Sequence, residues 1–592
     1  MDGLPAILGV TQSVSGKRWV QRCDDGRAVS EIARVAQVPD ILARVLAGRG
    51  VRPDQALAFL RPSLRQDLPD PDCLTDMARA AARIARAVEG GETIAIFGDY
   101  DVDGATSSAL LARFLKTAGA KALIYIPDRM KEGYGPNAAA LTKLANDGAR
   151  LIITVDCGTQ AHAALEAGGE AGADIIVCDH HLPSDTLPRA FAIINPNRRE
   201  DTSGLGQLCA AGVAFLLAVA VNRALRQAGW YSASRPEPDL MALVPLVALG
   251  TVADVVPLTG PNRALVLSGL KVMRERPVAG LQALMAVAGL QGAVTPYHLG
   301  FILGPRVNAG GRVGDCGLGA ELLSTDDPGR ASALALQLDQ FNKERQAIEA
   351  LILEDALSMA QALDQAGRQV LVIAKEGWHA GVVGIVASRV KERFGKPAVV
   401  IGLEGGYGKG SARSVSGADI GSAMTRAREA GLLLAGGGHA MAAGLTVRPD
   451  MVEALADFLE QDLGAAAADS QDTLQLEVDG ALSGEGLSPS LAVSLAAAGP
   501  FGSGNPEPVF VIPDQALTFV KPVGDGHVRF TARGIGEGRL GGIAFRAAGG
   551  PVGQALLEAR GRHVHLAGSL QVSEWQGEAR TELRLIDLAF VA

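Results

Sequence analysis

From residue 93 to residue 194, short runs of β-branched and aliphatic residues alternate with longer stretches whose apolar positions recur every three or four residues. The runs at 93–97, 122–126, 151–155, 174–178 and 192–194 are largely apolar throughout, as strands covered on both faces are. The stretches 105–118, 137–147 and 161–171 are rich in Ala and Leu and carry a helical period. This alternation predicts a buried parallel sheet in an α/β unit. A second α/β pattern follows, with strands near 370–374 and 398–401 around a helix at 382–393.

The pattern between and around these units is different. Residues 41–60 and 77–88 have helical spacing, and 208–221 is an apolar run that predicts a buried helix. The run 243–258 is also apolar but is interrupted by Pro245, Asp254 and Pro257. Residues 260–360 read as mostly helical, ending in an amphipathic stretch at 331–360 with a charged centre from Asp339 to Glu349. Such a helix could bridge two lobes. The Ala-rich, then polar segment 464–472 reads as a linker. Beyond it, short strands with Gly and Pro turns predict a small β-barrel. The expected architecture is α/β: two α/β lobes joined by a long helix, then a C-terminal barrel. The expected boundaries are 1–88, 89–265, 266–362, 363–468 and 469–592.

Composition narrows the class. The 592 residues carry 64 acidic and 55 basic side chains, a formal charge of −9. That balance weighs against a surface coated in nucleic acid. Wholesale disorder is excluded by 48% hydrophobic and 20% charged residues. The first ten residues lack the positive region of a signal peptide, and no apolar run is long enough to span a bilayer. The six cysteines form no CxxC pair, which disfavours a ribbon-type zinc site. A reduced, cytoplasmic protein is expected.

The candidate chemistry lies at strand ends. The strand at 93–97 runs into Gly98-Asp99-Tyr100-Asp101-Val102-Asp103-Gly104. Later apolar segments end in Asp156-Cys157-Gly158, Asp179-His180-His181 and Thr251-Val252-Ala253-Asp254. Ligand sites of parallel sheets lie at the carboxyl ends of strands. Carboxylates gathered in one dry pocket need a counter-charge, and a divalent metal supplies it. Carboxylates with imidazole and no thiolate pattern favour Mn²⁺ or Mg²⁺. This many anionic ligands point to two ions, an arrangement suited to displacement at phosphorus.

These motifs resemble those of the DHH phosphoesterase superfamily, and further motifs resemble its bacterial RecJ family. They include Phe59-Leu60-Arg61-Pro62-Ser63-Leu64, Gly133-Tyr134-Gly135-Pro136-Asn137 and Pro305-Arg306-Val307-Asn308-Ala309-Gly310-Gly311-Arg312. Asn342-Lys343-Glu344-Arg345-Gln346 belongs with them. Gly377-Trp378-His379-Ala380-Gly381, Gly410-Ser411-Ala412-Arg413-Ser414 and Gly436-Gly437-Gly438-His439 look like the DHH-associated domain. Gly499-Pro500-Phe501-Gly502-Ser503-Gly504-Asn505-Pro506 looks like the start of the family's OB-fold. The departures are small, Val102 and Gly310 where Ala is usual.

The resemblance implies a single-stranded-DNA-specific 5′-to-3′ exonuclease that releases mononucleotides with Mn²⁺ or Mg²⁺ and acts in recombination and repair. On that pattern Asp101 and Asp156 hold one metal, with Asp99 beside it. Asp103, Asp156, His180 and Asp254 hold the other. His181 is better placed for the scissile phosphate, and Asp179 fixes an imidazole tautomer. Ser411 and Arg413 have the parts of an anion pocket for the terminal 5′ phosphate. Arg306, Asn308 and Arg312 would grip neighbouring phosphates, His439 would close the pocket, and Tyr134 is a stacking candidate. A channel between two lobes would admit one strand and not a duplex. Single-strand DNA-binding protein, a RecQ-type helicase, a bacterial cytoplasm and a monomeric state belong to the same expectation, with no membrane. Two alternatives stay open: another DHH phosphoesterase (oligoribonuclease, cyclic-dinucleotide phosphodiesterase or pyrophosphatase), and a non-catalytic DNA-binding relative.

Overall fold

The computed structural model describes residues 5–133, 135–471, 474–524, 526–534, 539–575 and 578–591. The chain separates into two compact units. One is Arg61–Arg345 with Pro500–Pro506; the other is Met1–Leu60, Gln346–Gly499 and Glu507–Ala592.

In the first unit five parallel strands form one sheet, in the order Lys121–Tyr125, Thr93–Gly98, Ala149–Val155, Asp174–Cys178, Ala192–Ile194. The apolar runs are explained by burial on both faces. Ile94, Ile96, Leu151, Ile153 and Ile176 enter one core, whereas Ala95, Phe97, Ile152, Ile175 and Val177 enter the other. The chain leaves the Thr93–Gly98 strand towards one edge and returns on its other side through Ala149–Val155. The strand order therefore reverses between these two strands, which is where open α/β sheets bind ligands.

Helices Val102–Thr117, Ala138–Asn146 and His162–Glu170 connect the strands. The apolar run at 208–221 lies in the buried helix Ala210–Gln227. The interrupted run at 243–258 is a short 3-10 turn, Leu240–Leu243, followed by the helix Val244–Ala253. Segment 500–506 packs with this unit, since the Leu258 amide donates to the Ser503 carbonyl at 2.8 Å.

The second unit contains a mixed five-stranded sheet and a barrel. The sheet runs Ala435–His439, Ala442–Val447, Tyr407–Arg413, Ala398–Glu404, Leu371–Glu376. Phe510–Val523, His527–Arg533, Arg539–Ala544, Glu578–Phe590 and His563–Trp575 close into a five-stranded barrel, because the first also pairs with the last. The N-terminal strand Arg18–Gln21 pairs in parallel with Gln475–Val478. Buried Asp587 accepts hydrogen bonds from Trp19 Nε1 at 3.0 Å and from the hydroxyls of Ser13 and Ser15 at 2.5 and 2.8 Å. The long helix runs Pro328–Gln365, starting in the first unit and ending in the second.

Two expectations are corrected. The single helix expected over 41–60 is broken into Asp40–Gly48, a 3-10 turn Pro53–Gln55 and Ala56–Leu60. Gly50 adopts φ 72° and Pro53 cannot donate an amide, so the period continues while the helix does not. The linker expected over 464–472 is helical to its penultimate position, as the end of the helix Val452–Gln471. Its four alanines are strong helix formers, and Leu459, Leu463 and Ala467 bury one face. Among the described residues no helix is long and apolar enough to cross a membrane. All six cysteines are free.

Candidate metal centre

Three neighbouring strands each deliver a carboxylate one residue past their last paired position. The parallel ladder carries on into these residues. The Asp99 amide donates to Val155 O at 3.3 Å, the Asp156 amide to Cys178 O at 3.1 Å, and the Asp179 amide to Ile194 O at 3.0 Å. The backbone of each ligand loop is thereby pinned to the sheet edge.

Local geometry then sets the side chains. Asp101 caps the helix Val102–Thr117, its Oδ1 accepting from the Gly104 amide at 3.0 Å. Gly104 must be glycine: a Cβ there would lie 2.3 Å from the Asp99 carbonyl oxygen. Asp103 is buried on the first turn of that helix and accepts from the amides of Ala210 and Ala211 at 2.6 and 2.9 Å. Asp156 has φ 60°, a conformation that costs a non-glycine residue roughly 1–3 kcal/mol and is found mainly at functional sites. Asp254 caps the C-terminus of Val244–Ala253.

The site residues converge in three groups, each with one ligand atom per residue within 4.8 Å of the others. These are Asp99, Asp101 and Asp156; Asp103, His180 and Asp254; and Asp156, His180 and His181. His180 Nε2 lies 3.2 Å from Asp156 Oδ1, 3.7 Å from Asp254 Oδ2 and 3.9 Å from Asp103 Oδ2. Asp156 Oδ1 and His180 Nε2 are both buried with no hydrogen-bond partner among the described residues. Buried polar atoms are rarely left in that state without an unseen ion or water.

The electrostatics agree. Burial pushes the Asp156 carboxyl well above its ordinary value, and the charges of Asp101, Asp103, Asp99 and Asp254 push it further. Burial with the charges of Asp103 and Asp101 lifts Asp254 to about 9. Asp103 is also raised, chiefly by burial. A divalent cation reverses this balance, because it favours every charged carboxylate at once. The donor set is oxygen and imidazole, which fits Mn²⁺ or Mg²⁺.

Asp179 holds His181 rather than His180. Its Oδ1 lies 2.8 Å from His181 Nδ1 and also accepts from the His180 amide at 2.8 Å. Burial opposes a charge on His181, but the Asp179 hydrogen bond and charge outweigh it and raise the imidazole to about 9. Sequence reasoning missed two supports of this turn, Asn195 and Asn197. Asn195 Nδ2 donates to Thr159 Oγ1 and to the His181 carbonyl, at 2.9 and 2.8 Å. Asn197 Nδ2 donates to the His180 carbonyl at 2.5 Å. The available signal was the Asn-Pro-Asn that follows the 192–194 strand.

The remaining candidates are placed as follows. Arg306, Asn308 and Arg312 lie on the helix Gly304–Val313. Arg306 is paired to Asp339 at 2.9 Å and donates to the Ile302 carbonyl at 2.7 Å, so much of its donor capacity is already used. In the second unit, Ser411 and Arg413 sit on the strand Tyr407–Arg413, with Arg413 Nη1 donating to Ser411 Oγ at 2.9 Å. The helix Val383–Phe394 begins beside them; a Cβ on Gly384 would lie 3.2 Å from Ser411 Oγ and 3.4 Å from Arg413 Nη2. Arg413 is half-buried, has no carboxylate in ion-pair distance among the described residues, and is held below its ordinary pKa by burial. His439 is exposed on the Ala435–His439 strand. It pairs with Ala442, which in turn pairs with Arg413, so two strand spacings separate the histidine from the guanidinium. Tyr134 lies outside the described residues.

Comparison with known proteins defines the class first. The DHH family, N-terminal domain matches residues 93–251, the DHHA1 domain matches 367–465, and the RecJ OB domain matches 478–587. The single-stranded-DNA-specific exonuclease RecJ of Dickeya dadantii (strain 3937) is 38% identical over 578 residues, 94% of this chain and 97% of that protein. The crystal structure of RecJ in complex with Mn²⁺ from Thermus thermophilus matches with a TM-score of 0.78 at 31% identity, covering 95% of this chain and 78% of that one. The corresponding complex with Mg²⁺ gives 0.71 at 29% identity, covering 96% and 77%. The chain belongs to the RecJ family.

Proposed function

We propose that this protein is a single-stranded-DNA-specific 5′-to-3′ exonuclease that releases 5′-mononucleotides by hydrolysing phosphodiesters, in recombination and repair. The observation that carries this reading is the convergence of Asp99, Asp101, Asp103, Asp156, His180 and Asp254 at the switch point of a RecJ-family sheet. In this reading Asp101 and Asp156 hold one ion and Asp103, Asp156, His180 and Asp254 a second, with Asp99 beside the first. Mn²⁺ or Mg²⁺, when bound, supplies Lewis-acid activation of water and charge neutralisation at the phosphodiester. The residues of the chain do the rest. Asp103 is oriented by the Ala210 and Ala211 amides. His181, kept charged by Asp179, offers its other ring nitrogen to a non-bridging oxygen of the scissile phosphate.

Polarity comes from a second anion site. Ser411 Oγ, the Arg413 guanidinium and the helix start at Val383 hold the terminal 5′ phosphate, a charge that a helix N-terminus and a guanidinium with no carboxylate partner among the described residues both favour. Asn308 and Arg312, with what remains of Arg306, bind phosphates further along, and His439 closes on the first. The protein works as a cytoplasmic monomer alongside single-strand DNA-binding protein and a RecQ-type helicase. The test is a strand blocked at one end. With Mn²⁺, a 3′-blocked single strand should be degraded to mononucleotides and a 5′-blocked one should not, with no activity in EDTA. Digestion from the 3′ end, or cleavage of dinucleotides only, overturns the reading.

A further inference from the structure

Two large aromatic side chains stand exposed on a helical run that packs against elements of the metal centre. Tyr297 is 57% and Phe301 70% exposed, yet their rings stack on each other with centroids 5.2 Å apart and planes 27° from parallel. They belong to a short helical turn, Pro296–His298, and to a π-helical segment, Leu299–Leu303. A π-helical turn is rare and concentrates at functional sites. It runs straight into Gly304–Val313, the helix of Asn308 and Arg312.

This helical run lies against the ligand-bearing elements at both ends. A Cβ on Gly300, the neighbour of Phe301, would touch Val252 Cγ1 at 3.4 Å, two residues before Asp254. A Cβ on Gly304 would lie 3.4 Å from Ala253 and 3.8 Å from Val102. At the far end, a Cβ on Gly311 would meet the Tyr100 ring at 3.0 Å. Glycines thus let the run approach the loops that carry Asp101, Asp103 and Asp254. Asn308 and Arg312 follow on the α-helix into which this π-helical segment runs. One further exposed apolar residue flanks the site: Val255, directly after Asp254, is 68% exposed and is held at φ 61°, where a β-branched residue is strained.

We propose that Tyr297 and Phe301 form a stacking platform for a nucleobase of the single strand, placed on the same helical run as the phosphate-binding residues. The occupant is a base rather than a protein side chain because the pair stands on the run that packs against the ligand-bearing elements and leads into the helix of Asn308 and Arg312. Each stacked base adds binding without sequence preference, since every base has a π-face. The proposal rests on the exonuclease reading and adds to it a source of affinity that is independent of charge. It also gives a discrimination: in a duplex the bases are paired and stacked on each other, and no base face is free for the platform.

The test is a cycle between protein and substrate, run with Mn²⁺ on a 5′-phosphorylated oligothymidylate. An abasic sugar is scanned through its first positions. The wild type should lose about tenfold in kcat/KM at one position, carried by KM. Phe301→Ala should show the same loss on the intact strand and no further loss with the abasic sugar there, whereas Phe301→Trp should restore the wild-type pattern. Phe301 is exposed, so the variant should fold, and its melting temperature checks this. Equal kcat/KM for wild type and Phe301→Ala, or additive losses at every abasic position, overturns the platform alone. A wild type that leaves the intact strand undegraded overturns the exonuclease reading and the platform with it.

Discussion

Asp156 holds a left-handed backbone, is buried among four other carboxylates, and has a side-chain oxygen with no hydrogen-bond partner among the described residues. Each of these features costs stability in the metal-free protein. Asn tolerates the same backbone conformation and removes one charge from the cluster. Asp156→Asn should therefore raise the melting temperature in EDTA while abolishing exonuclease activity. Metal binding to the native state stabilises it by mass action, by about 2.7 kcal/mol at a hundredfold excess over the dissociation constant. The wild type should accordingly melt higher on adding Mn²⁺, and the variant should lose most of that increment. Thermal scans with and without Mn²⁺ check both halves. A lower melting temperature for the variant in EDTA would mean that the cluster is not under charge strain.

Elements with a strong local signal are legible in the sequence, and those decided by a few special residues are not. The five strands of the parallel sheet lie within about two residues of their expected bounds, because burial on both faces leaves an unmistakable apolar run. The loops that begin at Asp99, Asp156 and Asp179 are legible for the same reason, each following a strand whose end is clear, whereas Asp254 follows a helix. The break at Gly50 and Pro53 escapes a periodicity argument because apolar spacing persists across a turn. The helix through 464–471 escapes it because an Ala-rich, polar segment reads equally as linker until its buried face is known. Asn195 and Asn197 are marked only by the Asn-Pro-Asn after a strand, which does not show that they bind the carbonyls of His181 and His180. Element stability near the site also has a pH signature. Glu132 accepts from the Asp128 amide and the Tyr125 hydroxyl, both at 2.8 Å, and from Asn137 Nδ2 at 3.0 Å. Burial opposes its charge, but these hydrogen bonds outweigh it and hold the carboxyl below its ordinary value. A lowered folded pKa contributes stability above the ordinary carboxyl range, lost as pH falls through the folded value. Hydrogen exchange over residues 126–140, corrected for intrinsic rate, should thus rise below about pH 4.5. In Glu132→Gln it should already be raised at pH 7.

At the scale of the whole molecule, the charge of −9 does not decide whether DNA binds. Six of the acidic groups, Asp99, Asp101, Asp103, Asp156, Asp179 and Asp254, are in or beside a cluster built to be offset by cations. A local excess of basic residues is also partly offset. Residues 375–413 hold seven basic side chains against three acidic ones, but Lys375 is paired to Asp355 and buried Lys396 to Asp364. A window along the sequence counts the lysines and misses partners that lie outside it. The same limit holds in the barrel, where Phe510 and Phe530 are core and Phe519, Phe545 and Phe590 are exposed, a division the sequence leaves open. On the proposed reading DNA is held by cations outside these pairs and by a stacking surface, two contributions that salt separates. Each neutralised phosphate of a single strand adds about 0.7 to the slope of log affinity against log salt. Arg413→Ala should therefore weaken binding to a 5′-phosphorylated strand and lower that slope by about 0.7. Phe301→Ala should weaken binding at every salt concentration and leave the slope as it is, because stacking releases no counterions. Titrations across a range of about 50 to 300 mM salt measure both slopes. If Arg413→Ala keeps the full slope, the guanidinium does not meet a phosphate and the assignment of the 5′ site is wrong.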